Sequence, residues 1–172
     1  MRTRLFPGLL LVLIPLMAGC INPFAPGEVE GDPVADLLGD PSTIEGFYTR
    51  FQKAYELRDT SLYGPLIHSD FTFTFRDFEI NEDRTWDRPE EMRRTHSMFM
   101  NTHDITLQWN NILRETIFDD RTRVRIERVF NLRLVDSGSQ TFRANGIASF
   151  ELTRSDSTEN WRLIRWRDES DI

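Results

Sequence analysis

Ile67-His68-Ser69-Asp70-Phe71-Thr72-Phe73-Thr74-Phe75-Arg76 is the stretch on which the fold turns. Before it, apolar residues recur every three or four positions. Within it, Phe71, Phe73 and Phe75 alternate with Thr72, Thr74 and Arg76, which is the period of a strand with one aromatic face, placed over residues 70–78. Upstream, Ser42 followed three residues later by Glu45 has the spacing of a capping box. Ile44, Phe47, Tyr48, Phe51, Ala54 and Tyr55 then fall on one helical face, so residues 43–58 predict an amphipathic helix. Asp59 or Thr60 caps a shorter second helix with Leu62, Tyr63, Leu66 and Ile67, broken or tightened at Gly64-Pro65.

Downstream of the phenylalanines, residues 79–86 predict a turn and a short return strand. Asp87 caps a third helix that runs to about Asn101, with Glu90 and Glu91 in the first turn, where the macrodipole favours acids. Its expected buried stripe is Met92, His96, Phe99 and then Met100 or His103. Four strands follow. Ile105, Leu107 and Trp109 alternate with polar residues, as do Val124, Ile126, Phe130, Leu132 and Leu134. The run Asp136-Ser137-Gly138-Ser139 has hairpin-loop composition. Phe142, Ala144, Gly146, Ala148, Phe150 and Leu152 share the next face, and residues 161–167 close the sheet, with Gly146 suited to a bend in it.

The 172 residues are 39% hydrophobic and 28% charged, which suits one compact domain and excludes a disordered or fibrous chain. A net charge of −7 argues against nucleic acid as a partner, since phosphate contacts need a basic face. The single cysteine excludes an internal disulfide and a Cys-rich metal site. His68, His96 and His103 have no metal-ligand spacing, and neither a metal nor a cofactor is expected. Twenty of the 21 basic residues are arginine. Interleaved with acids, as in Arg123, Arg125 and Glu127, they read as a solvated, cross-strand-paired sheet face.

Arg2 and Arg4 precede an apolar run from Leu5 to Met17, too short to span a membrane, which has the layout of a secretory signal. Leu16-Met17-Ala18-Gly19-Cys20 resembles the lipobox of bacterial lipoprotein precursors, with Met17 where Leu, Val or Ile is more usual. The resemblance implies cleavage after residue 19 and acylation of Cys20, which anchors the chain to the membrane. Ile21, in place of an inner-membrane retention Asp, implies the outer membrane of the bacterial envelope. Removing Arg2 and Arg4 from the 21 basic residues leaves 19 against 28 acids, or −9. Residues 20–41, with Pro23, Pro26, Pro33, Pro41 and five acids, read as an extended tether in which residues 33–38 form one helical turn. The domain is expected over residues 42–172.

Helices followed by a long meander predict an α+β domain. Glu56-Leu57-Arg58-Asp59, Ile67-His68-Ser69-Asp70-Phe71-Thr72-Phe73 and Trp161-Arg162-Leu163-Ile164-Arg165-Trp166-Arg167-Asp168, in that order, resemble the nuclear-transport-factor-2-like (SnoaL-like) superfamily. The resemblance implies a cone, a curved antiparallel sheet wrapped around three helices, with an apolar pocket at its open end. It also implies homodimerisation through the sheet as an expectation. Members include isomerases, cyclases and dehydratases with an Asp or His base, alongside non-catalytic binders, so fold alone does not decide activity.

His68 and Asp70, two apart at the start of a strand, are the acid–base candidates of the enzyme reading. However, if the phenylalanines face inward, Asp70 faces out. His96 is a third candidate, equally readable as a core histidine. Arg128 interrupts an apolar face and needs either a carboxylate or anionic ligand, or a bulge that lets it reach water. Tyr48, Phe73, Trp86, Phe99, Trp109, Arg128 and Trp166 are the expected pocket residues. They suit a small apolar or amphipathic ligand, or else form part of an ordinary core. The leading expectation is a non-catalytic ligand or partner binder.

Overall fold

A computed structural model describes residues 37–118 and 121–169, within the compact unit Gly31–Ile172. Cys20, the signal and most of the tether lie outside the described residues. Helix α1, Ile44–Leu57, buries Phe47, Tyr48, Phe51, Ala54 and Tyr55, the face that the helical period selected. Its cap is Thr43 rather than Ser42: Thr43 Oγ1 accepts from the Gly46 N–H at 3.0 Å. Ser42 is instead turned toward Asp40, donating to it from both N–H and Oγ. The short side chain of Asp40 takes Ser42 because the chain folds back over the start of α1, which puts the capping position one residue later.

Arg58 ends α1 in the left-handed region at φ 55°, and its N–H reaches back to the Ala54 and Tyr55 carbonyls. Asp59 then caps helix α2, Thr60–Tyr63, by accepting from the Ser61 and Leu62 N–H groups. Gly64–Leu66 tightens into a 3-10 turn, which accommodates Pro65. The Arg-Asp pair is therefore a stop signal followed by a start signal. Helix α3, Arg88–Asn101, is capped by Asp87, with Pro89 in the first turn where its missing N–H costs nothing.

Six strands form one sheet: β1 Ile67–Asp77, β2 Glu82–Asp87, β3 Thr102–Ile117, β4 Arg123–Asp136, β5 Thr141–Thr153 and β6 Arg162–Asp168. Their order is β2-β1-β6-β5-β4-β3. The sheet is mixed rather than wholly antiparallel, because β6 returns to the middle and runs parallel to β1. Phe71 and Phe73 face inward and are buried, as the alternation requires, and Thr72 is exposed. Gly146 sits opposite Phe130 in unbroken register. The irregularities lie elsewhere, chiefly in β3 between Trp109 and Arg114, where extra residues are accommodated against β4.

α1 packs on β3 and α3 on β1 and β2. The core joins Phe47, Phe51 and Tyr63 to Phe71, Phe150 and Leu163. Each such side chain, fully buried, contributes about 1.5–3 kcal/mol. The domain also reaches before residue 42. Gly39 and Pro41 are buried, and the Pro41 carbonyl accepts from the Trp161 N–H at 2.8 Å. Leu37 and Leu38 are helical, and residues 33–36 of that expected turn lie outside the described residues. Among the described residues no helix is long and apolar enough to cross a membrane.

Candidate functional site

Inward residues of all six strands, with α1 and α3, leave a cavity of about 300 Å³. Phe51, Phe73, Trp86, Trp109, Phe130 and Trp166 form most of its aromatic wall. Trp86 stacks on Phe73 with centroids 4.1 Å apart, and Phe73 meets Trp166 edge-on at 4.9 Å. Phe51 links Tyr55, Trp109 and Trp166. The wall is rigid because each ring is held by at least one other at stacked or edge-on distances.

One side of the cavity is polar. Glu91 is 3% exposed, and its carboxylate accepts from Tyr63 Oη at 2.6 Å, Trp86 Nε1 at 2.7 Å and Thr95 Oγ1 at 2.9 Å. All three of these donors are neutral. Tyr55, Thr95, Arg94 and Asp168 complete this side. Burial holds the Tyr55 hydroxyl well above the ordinary 10.0, and the negative charges of Glu91 and Asp168 raise it further. Tyr63 is raised likewise, by burial first and then by Tyr55 and Glu91. Arg94 is exposed; it lies over the Trp86 ring at 4.5 Å and donates to Glu90 at 2.6 Å. The buried indole N–H groups of Trp109 and Trp166 have no acceptor among the described residues.

Of the expected pocket residues, Phe73, Trp86, Trp109 and Trp166 line the cavity, whereas Tyr48, Phe99 and Arg128 are not among its lining. Tyr48 is buried one turn before Phe51 on the same face of α1, stacked on Phe150 at 5.5 Å and edge-on to Trp109 at 4.9 Å. Phe99 packs between Tyr55 and Tyr63. Arg128 takes the carboxylate among its anticipated alternatives. It pairs with Glu45 at 3.0 Å, and it donates to the Asn110 carbonyl beside the β3 irregularity while covering the Tyr48 ring at 4.7 Å.

His68 and Asp70 stand outside the cavity. His68 Nδ1 accepts from the Asp70 N–H at 3.1 Å, while the Asp70 carboxylate is 81% exposed at 4.0 Å from that nitrogen. His96 is exposed as well. The buried stripe of α3 runs through Glu91, Thr95 and Phe99, not Met92 and His96. A shift of one residue turns a helix by about 100°, enough to exchange a histidine for a carboxylate at the cavity. Glu91 reads from sequence as a first-turn acid, and the signal that places it inside is its i, i+4, i+8 spacing with Thr95 and Phe99. Asp168 and Tyr55 gave no sign of their role beyond sharing faces with Trp166 and Phe51. No cluster of three metal-binding side chains occurs among the described residues.

No family model matches the sequence, and no curated protein is similar to it. Solved structures are similar in fold. A conserved protein from Planctomyces limnophilus is 13% identical with a TM-score of 0.62, covering 74% of this chain and 94% of that one. A candidate scytalone dehydratase from Novosphingobium aromaticivorans is 12% identical, TM-score 0.63, covering 75% and 82%. A hexachlorocyclohexane dehydrochlorinase, LinA type 2, is 14% identical, TM-score 0.57, covering 75% and 83%. At these identities the likeness concerns the fold: helices against a curved mixed sheet.

Proposed function

We propose that this chain, whose domain has the nuclear-transport-factor-2-like cone fold, is a lipid-anchored envelope protein that binds a small, largely apolar or amphipathic molecule in its cone. The observation that carries the binding reading is the open aromatic cavity with a single polar side. Its volume lies at the lower end of the roughly 300–1,000 Å³ usual for small-molecule sites. An apolar occupant gains about 25 cal/mol for each Å² of ring surface it takes from water. The test is native mass spectrometry of the full-length protein as produced in its host. A single small-molecule adduct that is lost on unfolding is expected. A homogeneous unliganded mass, with tryptophan emission unmoved by a panel of apolar and amphipathic aromatics, overturns the reading.

Anchoring rests on Cys20 within its lipobox-like stretch. Cys20→Ser is expected to leave the precursor unprocessed and out of the lipidated membrane fraction. A variant that is processed and membrane-bound like the parent removes this part of the proposal.

A second reading, proton-transfer catalysis, draws support from one observation: Asp168 lies on the cavity wall within electrostatic reach of the Tyr55 hydroxyl. The oxygens of Glu91 already accept three hydrogen bonds, which lowers its basicity. Recovery of the bound molecule unchanged after long incubation supports binding. Conversion that is abolished by Asp168→Asn replaces it with catalysis.

A further inference from the structure

We infer that the ligand of the cavity is an organic cation, a quaternary or protonated amine carried on an apolar body. This deepens the binding reading and rests on it. The charged residues of the described lining are Glu91, Asp168 and Arg94. Glu91 is a buried carboxylate held by Tyr63, Trp86 and Thr95, which supply hydrogen bonds but no positive charge. Arg94 brings a positive charge that Glu90 already meets at 2.6 Å, and Glu90 also accepts from Arg93. Glu91 therefore brings to the aromatic cavity a negative charge that its three neutral donors do not offset.

Three tryptophans and three phenylalanines line the cavity, and an aromatic ring face attracts a cation by about 0.5 kcal/mol when exposed and about 2 kcal/mol or more when desolvated. The protein already uses this attraction at the solvent edge, where the Arg94 guanidinium rests over Trp86 at 4.5 Å. A neutral ligand would leave the Glu91 charge facing apolar matter, whereas an anion would be repelled by that carboxylate. An alkylammonium is attracted by carboxylate and rings together. Its weak hydration also makes entry into a dry aromatic wall less costly than for a small inorganic cation.

The test compares three probes on the full-length protein by quenching of tryptophan emission and by calorimetry: benzyltrimethylammonium, its uncharged carbon isostere neopentylbenzene, and the anion 3-phenylpropionate. The cation is expected to bind at least about tenfold tighter than the isostere, with the anion weakest. Glu91→Gln, whose single amide oxygen still accepts from Tyr63 and Thr95 while the Trp86 indole loses its acceptor, is expected to weaken the cation by about tenfold and leave the isostere unchanged. The unmodified protein compared across the probes keeps the test decisive if that variant fails to fold. Equal binding of cation and isostere, or tightest binding of the anion, overturns the cation assignment while the binding reading stands. Silence from all three probes, together with an unliganded native mass, overturns both.

Discussion

Gly46 shows how much one missing methyl can govern. A Cβ there would run into the Asp40 carbonyl, and one on Gly39, at φ 87°, would meet Thr49 Cβ at 2.8 Å. The segment before α1 thus lies directly on the helix, tied by Arg50 Nε donating to the Gly39 carbonyl at 2.9 Å. Gly46→Ala, at a helical position where alanine ordinarily helps, is expected to destabilise the domain by about 2–3 kcal/mol in chemical denaturation. An unchanged or raised midpoint would mean that the segment lifts off without cost. Tyr63→Phe tests the polar side of the cavity. It removes one of three donors to the buried Glu91 carboxylate and is expected to cost about 1–2 kcal/mol. Glu91→Ala is expected to cost more, because it strands the Tyr63, Trp86 and Thr95 donors together.

Strands β4, β5 and β6 are joined on their outer side by a single carboxylate. Glu151 is 3% exposed and pairs with Arg125 at 2.8 Å, Arg165 at 3.0 Å and Arg123 at 3.7 Å, drawing the exposed arginines of two neighbouring strands over β5. The alternation of arginine and acid along β4 made a cross-strand-paired face legible in sequence. That one glutamate serves three partners depends on the register, which sets Arg125 and Arg165 on either side of Glu151. Glu151→Ala is expected to destabilise by about 2–4 kcal/mol, since three guanidiniums then face one another without a counter-charge. Arg165→Ala alone should cost under about 1 kcal/mol, because the carboxylate keeps two partners and the arginine that is lost is solvent-exposed. Equal effects of the two substitutions in a denaturation series would contradict this division. The caps were similarly legible: Asp59 and Asp87 stand where their sequence position puts them, and Asp59 is held below the usual carboxylate range by Ser61.

Across the whole molecule the tyrosines act together. All three, Tyr48, Tyr55 and Tyr63, are in the core, and burial holds each hydroxyl above the ordinary value of 10.0. A group whose folded value is raised lends stability that is complete below its unfolded value, here about 10, and drains away as pH rises beyond it. Tyrosinate absorbance is therefore expected to appear above pH about 10 only in step with loss of near-ultraviolet circular dichroism. A phenolate that titrates while the dichroism is intact would show that at least one tyrosine reaches water. The sequence by itself determined the elements, the caps at Asp59 and Asp87, the inward set of phenylalanines and, through Cys20, an expectation of where the chain is anchored. These are local properties, written in periods of two and 3.6 residues and in short capping spacings. The composition of the cavity was decided only in three dimensions. A one-residue rotation of α3 puts Glu91 rather than His96 inside, and the parallel return of β6 brings Trp166 and Asp168 beside Phe73 and Tyr55. Arg128 meets Glu45 across 83 residues of chain. Contacts so distant in sequence, and a helix rotation that hydropathy alone resolves only to within a residue, leave no local pattern. They follow from how the sheet curves around the helices and which side chains then fill the space.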